Sequence, residues 1–319
     1  MSDDRFGLPL LEAARRAGVT IAAEREPQDR WLTLRGLRFH YLDWGGEGLP
    51  ALLCLHGTAQ NAHTWDFTAL TLCARYRVLA LDQRGHGDTS WAPDGDYSLE
   101  AYVADLEAFV SALDLPEVTL VGLSMGGRNA FVYAARHPRK VRALVVVDTG
   151  PEVNTAGVQR IGRFMAMEDV LDSFDAFVQR TLRYNPLRPE WLVRGSLRHN
   201  LVQRPDGRWT WKYDPAIRNP ARWAHGRPSP AVLWEAWRSL SCPVLLVRGE
   251  ESDVLTAEVA QAMAQALPGC RLVTIPRAGH LVPGDNHPAW ERALTAFLDE
   301  VERASGRPHT GAAPQPPEG

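Results

Sequence analysis

Six near-continuous apolar runs, each only four or five residues long, constrain this chain more than any other feature: 51–55, 78–81, 118–121, 143–147, 244–247 and 272–275. Unbroken rather than alternating hydrophobicity fits strands covered on both faces, as in a parallel sheet. The segments between carry helical spacing. Tyr102, Leu106, Phe109 and Leu113 fall on one helix face, and His137-Pro138 closes a helix that begins near Ser124. Two alternating runs, 31–34 and 39–44, are joined by Arg35-Gly36-Leu37 and read as a hairpin ahead of the first apolar run. Strand and helix in alternation specify a doubly wound, mostly parallel α/β sheet with crossover connections.

That rhythm stops between about 150 and 240, where helical patterns dominate. The expected organisation is therefore a core of 31–150 and 241–305, with a helical insertion, 151–240, after the sixth strand. Residues 1–30 are charged, contain one amphipathic stretch at 8–17, and read as a loosely attached arm. Residues 306–319 are rich in Pro and Gly and read as a disordered tail.

A formal net charge of −3 supplies no basic field, so nucleic acid and anionic membrane surfaces are not expected partners. The four cysteines form no C-x-x-C pair and match neither a zinc site nor a disulfide framework, so they read as buried thiols. Neither a metal nor an organic cofactor is expected. The start, Met1-Ser2-Asp3-Asp4, lacks the basic and apolar regions of a signal peptide, and no apolar run approaches a membrane span. The cytoplasm is the expected location by default, and nothing indicates an oligomeric state.

The strongest chemical signal is Gly122-Leu123-Ser124-Met125-Gly126, followed by Gly127. It directly follows an apolar strand run and directly precedes a helical stretch, the setting a nucleophile elbow requires. A turn this sharp strains the serine backbone, so side chains two positions before and after must nearly vanish. The hydroxyl is then exposed above the strand end, beside a helix N-terminus that favours developing negative charge.

A serine hydroxyl needs a base to take its proton. Among ten histidines, His280 alone stands in a loop after a C-terminal strand run, downstream of the serine and of every acid candidate. The base needs a carboxylate to orient it. Asp253, a short loop beyond the run 244–247, is the first choice. Asp148, which closes the run 143–147, is next, and Glu250 and Glu251 also compete. Backbone N–H donors for an oxyanion are expected from Met125 and from Thr58 in the loop His56-Gly57-Thr58. His56 reads as a brace for that loop, and Asp82-Gln83-Arg84-Gly85-His86-Gly87 as structural.

Taken together, these motifs, with Arg248-Gly249 through Ser252-Asp253 and Gly279-His280, resemble the α/β-hydrolase family in content and order over about residues 31–304. The resemblance implies that 151–240 is a cap over the active site. A serine at the elbow speaks against the epoxide hydrolase and haloalkane dehalogenase branches, which use aspartate. It leaves carboxylesterases, lactonases, C–C bond hydrolases and cofactor-free haloperoxidase-like members, with a non-turning-over receptor on the same scaffold as a different class. The expected activity is cleavage of a small-molecule ester or lactone. Six of eleven tryptophans fall in the insertion, suiting either an aromatic roof for apolar acyl groups or glue between cap and core. The insertion also carries fourteen basic against nine acidic side chains, read as solvated helix faces ahead of a lure for carboxylates.

Overall fold

The computed structural model describes residues 4–219 and 228–306. Trp223 and His225 lie outside the described residues, as does the tail except for Gly306.

The strands, in chain order, are β1 Gln28–Leu34, β2 Leu37–Asp43, β3 Ala51–Leu55, β4 Arg77–Leu81, β5 Val118–Leu123, β6 Val141–Val147, β7 Val170–Leu171, β8 Leu201–Gln203, β9 Trp209–Trp211, β10 Val244–Gly249 and β11 Arg271–Ile275. The helices are α1 Leu10–Arg16, α2 Asp66–Leu72, α3 Leu99–Ala112, α4 Met125–Arg136, α5 Thr155–Met165, α6 Phe174–Tyr184, α7 Glu190–Asn200, α8 Pro230–Arg238, α9 Ala257–Ala266, α10 Val282–Asp285 and α11 His287–Ala304. All six apolar runs and both hairpin runs are strands of one eight-stranded sheet, ordered β1-β2-β4-β3-β5-β6-β10-β11. The ladder from β4 to β11 is parallel throughout, and β2 pairs antiparallel with β1 and β4.

Unbroken hydrophobicity has the expected cause. Along β6, Leu144 and Val146 enter the cluster beneath α3, α4, α8 and α9, while Ala143, Val145 and Val147 enter the one beneath α1, α2 and α11. Each fully buried branched side chain contributes about 1.5–3 kcal/mol, which favours apolar residues on both faces. Ser98 starts α3 by accepting a hydrogen bond from the Ala101 N–H, and His137-Pro138 ends α4.

Two features differ from expectation. The described part of the segment before residue 31 is packed rather than loose: Ala14 is fully buried, Arg25 donates to the Cys73 carbonyl at 3.1 Å, and Phe6 packs edge-on against Phe174 at 4.9 Å. The insertion holds α5 to α7 and a three-stranded antiparallel sheet, β7-β9-β8, whose strands of two or three residues are too short to leave a periodic signal. Its last portion, α8, belongs to the core, with Trp237 fully buried against Phe131. The four cysteines are free thiols. Among the described residues no helix is long and apolar enough to cross a membrane.

Candidate active site

The elbow is built as its glycines require. Ser124 adopts φ 54° and ψ −118°, an unfavourable backbone for a residue with a Cβ, held between β5 and α4. A Cβ on Gly122 would stand 2.5 Å from the Gly126 carbonyl oxygen, and one on Gly126 only 2.2 Å from that of Leu55. The Ser124 N–H donates to Val147 at the end of β6 at 2.9 Å, fixing the turn against its neighbour strand. The loop after β3 presses on the serine, since a Cβ on Gly57 would come within 3.3 Å of the Ser124 Cβ.

Thr58 and Met125 border the same cavity as Ser124. Met125 is the first residue of α4, so its N–H has no acceptor within the helix. Neither N–H donates to another described residue. The Gly57 N–H, by contrast, is engaged by the Gln60 side chain at 2.8 Å.

His280, in the loop after β11, reaches back across β10. Its Nε2 lies 3.0 Å from Ser124 Oγ and its Nδ1 lies 2.7 Å from Asp148 Oδ2. The path exists because Gly249 lacks a side chain: a Cβ there would sit 2.1 Å from the Gly279 carbonyl oxygen. Asp148 is fully buried and sits directly after β6 with φ 52°. Its carboxylate also receives the Gly249 N–H at 3.0 Å and the Ser252 hydroxyl. A buried carboxylate met by this many donors is fixed in place and holds the imidazole in one orientation.

The carboxylate that stands against His280 is therefore Asp148, not Asp253 as expected. Asp253 is turned away toward the insertion, where it pairs with Arg160 at 2.7 Å, both side chains more than a third exposed. The reason lies in the tight turn after β10, in which Ser252, not Asp253, faces Asp148. Of the other competitors, Glu250 receives the Arg277 N–H at 3.2 Å and Glu251 is exposed.

A buried polar network holds the serine's surroundings in place. His56 keeps its Nδ1 proton on the Gly57 carbonyl at 2.8 Å and accepts the Gln83 N–H on Nε2 at 3.0 Å. Gln83 in turn donates to the His56 carbonyl and accepts from Asn129 of α4, both at 2.7 Å. Asp82 receives the Ala62 and Asp88 N–H groups and the His40 ring. These are the bracing roles the sequence indicated for His56 and for the 82–87 loop. Burial pushes the His56 imidazole below its ordinary pKa and takes His86 down to about 3, so both stay neutral.

Among the described residues two groups of side chains are spaced to accept a metal, His40/Asp82/Asp88 and His63/Asp66/His199. Each draws one member, His40 or His199, from a stretch remote in sequence, so spacing alone does not reveal them. The Asp82 oxygens of the first are already occupied.

The model of the alpha/beta hydrolase fold family matches residues 50–286. An esterase from Mycobacterium tuberculosis is 32% identical over 93% of this chain and 96% of its own, and its crystal structure superposes with a TM-score of 0.75 over 94% of this chain and 99% of that one. A 3-hydroxybutyrate-oligomer hydrolase from Cupriavidus necator is 30% identical over 76% of this chain and 87% of its own. The crystal structure of E-2-(acetamidomethylene)succinate hydrolase gives a TM-score of 0.78 at 26% identity, over 86% of this chain and all of that one. This chain belongs to the α/β-hydrolase family.

The hydrolase's hydroxyl opens into a cavity of about 420 Å³ between sheet and insertion. Its far wall is built by Val158, Ile161, Phe164, Met165 and Tyr184 with Trp211. Among the described insertion tryptophans, Trp211 alone borders this cavity. Trp237 donates its N–H to the Met263 carbonyl at 2.8 Å, Trp234 donates to Glu152, and Trp209 packs on Phe6 and Phe174. Trp209, Trp234 and Trp237 are thus glue between elements, not cavity lining. Some of the insertion's positive charge pairs with acids of the core, Arg160 with Asp253, Arg188 with Asp285 and Lys212 with Asp88, and some with its own acids, Arg194 with Glu190 and Asp175, Arg208 with Asp206 and Arg218 with Asp169.

Proposed function

We propose that this hydrolase cleaves a small-molecule carboxylic ester or lactone through an acyl-enzyme on Ser124. His280 Nε2 takes the Oγ proton as the oxygen attacks the carbonyl carbon, then returns it to the departing alcohol oxygen. Asp148 holds the Nδ1 proton and stabilises the imidazolium. The Thr58 and Met125 N–H groups receive the oxyanion, each worth about 10²–10³ in rate in comparable sites. Water, deprotonated by the same imidazole, releases the acid. The insertion serves as a cap, and the volume is ordinary for a small ligand. The observation that carries this reading is the unbroken path from Ser124 Oγ to Asp148, at 3.0 and 2.7 Å. An apolar far wall favours apolar or aromatic acyl groups.

Replacing Ser124 with Ala should abolish turnover of short aryl esters and labelling by a fluorophosphonate while the fold persists. Retained turnover would refute the assignment.

A second reading has its own support. Arg128 and Arg188 border the cavity, and relatives at 28% and 29% identity are named 2-(acetamidomethylene)succinate hydrolase and N-formylmaleamate deformylase. The same residues would then cleave a C–N or C–C bond beside a carbonyl in a carboxylate-bearing substrate. Comparing kcat/KM for aryl esters, a vinylogous diketone and an amide of an unsaturated dicarboxylate separates the two.

A further inference from the structure

We propose that His63, Asp66 and His199 form a divalent transition-metal site, separate from the catalytic centre, that fastens the insertion to the core. His63 lies in the short turn Ala62–Trp65 and Asp66 opens α2, both in the core, while His199 is in the last turn of α7 in the insertion. One ligand atom from each lies within 4.8 Å of the others. Zinc at about 2.0–2.1 Å from tetrahedral ligands places those ligands about 3.3 Å apart. His63 Nδ1 and Asp66 Oδ2 stand 2.9 Å apart, so an ion replacing the proton between them needs only a few tenths of an ångström. The His63 and His199 rings are stacked, centroids 3.5 Å apart and planes at 22°. They must open for each to aim an in-plane lone pair at one ion.

Unspent polar capacity converges there. Asp66 Oδ1 is buried with no partner among the described residues, and His199 commits neither ring nitrogen to a hydrogen bond with another described residue. Buried polar atoms left unpaired call for a cause, and a coordinated ion is one. All three residues border a second cavity of about 110 Å³, which Ser124, Asp148 and His280 do not border. That is room for an ion and a completing water. The two segments are also held in place by Asn61 Nδ2 donating to Asn200 Oδ1 at 2.9 Å, so the ligands need little further ordering. Two imidazoles and one carboxylate select zinc, cobalt or nickel over calcium or magnesium. Because Val193, Ser196, Leu197 and Asn200 of α7 border the main cavity, an ion here fixes part of its roof.

The test is calorimetric titration of the chelator-stripped full chain with Zn²⁺, alongside Co²⁺ absorption and thermal melting. The wild type and His280→Ala should each bind one ion, give a tetrahedral cobalt spectrum and melt higher when loaded. His199→Ala and His63→Gln should weaken binding at least about tenfold, since loss of a residue that merely supports a ligand already costs about 10–100-fold. Should His199→Ala fail to fold, His63→Gln decides. Binding that His280→Ala removes and His63→Gln leaves intact would overturn the proposal. So would binding of Mg²⁺ as tight as that of Zn²⁺, or the absence of heat and cobalt spectrum at millimolar ion.

Discussion

Asp148→Asn is the most informative single change. The carboxylate takes three donors into two oxygens: the Gly249 N–H on Oδ1, and the Ser252 hydroxyl with the His280 ring on Oδ2. An amide can keep only one oxygen. With its NH₂ toward Gly249, two buried backbone and side-chain donors face each other, a loss of about 1–3 kcal/mol that the rigid backbone cannot relieve. With its NH₂ toward Oδ2, the Ser252 hydroxyl can rotate and His280 can change tautomer, so this orientation wins. The imidazole then carries its proton on Nε2 and aims it at Ser124, which no longer has a base. The expected loss is about 10⁴-fold in kcat, or about 5.4 kcal/mol of transition-state stabilisation. Asp253→Asn removes a half-exposed pair with Arg160, worth about 0–1 kcal/mol in stability, and should change kcat less than about threefold. Steady-state kinetics on a chromogenic short-chain ester, with circular dichroism melts as the folding control, decides. A folded Asp148→Asn variant within tenfold of wild type, beside a crippled Asp253→Asn, would refute the reasoning.

Trp237→Ala should cost about 3–5 kcal/mol of stability in urea unfolding and leave the KM of the surviving folded enzyme nearly unchanged. Trp211→Ala should do the reverse, raising KM for aryl esters; equal effects of the two would contradict the division into glue and wall. Gly126→Ala forces a Cβ into the Leu55 carbonyl, so a fall in melting temperature together with lost fluorophosphonate labelling is expected, and a wild-type melt would mean the elbow is not this tight. His86, fully buried with its pKa lowered to about 3, binds fewer protons folded than unfolded between that value and its ordinary 6.5, so it lowers stability as pH falls. From pH 6.5 to 5 the contribution is about 2 kcal/mol at most. His86→Gln should flatten the urea-derived stability curve over that window, and parallel curves would show that His86 is not held neutral.

The core was legible because its signals are long and redundant. Continuous apolar runs mark strands covered on both faces, and the split of β6 residues between two clusters is the physical form of that pattern. The elbow was legible because its glycines answer a steric demand visible in the sequence alone. The insertion was less so: strands such as Trp209–Trp211 are shorter than any period, and α8 is amphipathic whether it roofs a cavity or, as here, backs α4. The seating of the segment before residue 31 depends on partners such as Phe174 and Glu291, remote in sequence.

The acid shows where local sequence stops being informative. Asp253 stands a short loop beyond β10, between serine and histidine in chain order, but order along the chain is not distance across the sheet. The order β5-β6-β10-β11 places the end of β6 beside the serine's own strand, one strand spacing of about 4.8 Å away, and the end of β10 one spacing further. His280 must cross β10 to meet the serine, and its Nδ1 then passes over whatever closes β6. Asp148 closes β6 immediately after Val145, Val146 and Val147, all fully buried. A charge that ends such a run has no water to solvate it and must be met by donors from neighbouring strand ends. The signal was an ionisable residue with no solvated exit from the core, and the turn that lifts Ser252 toward it supplies one of the donors it needs.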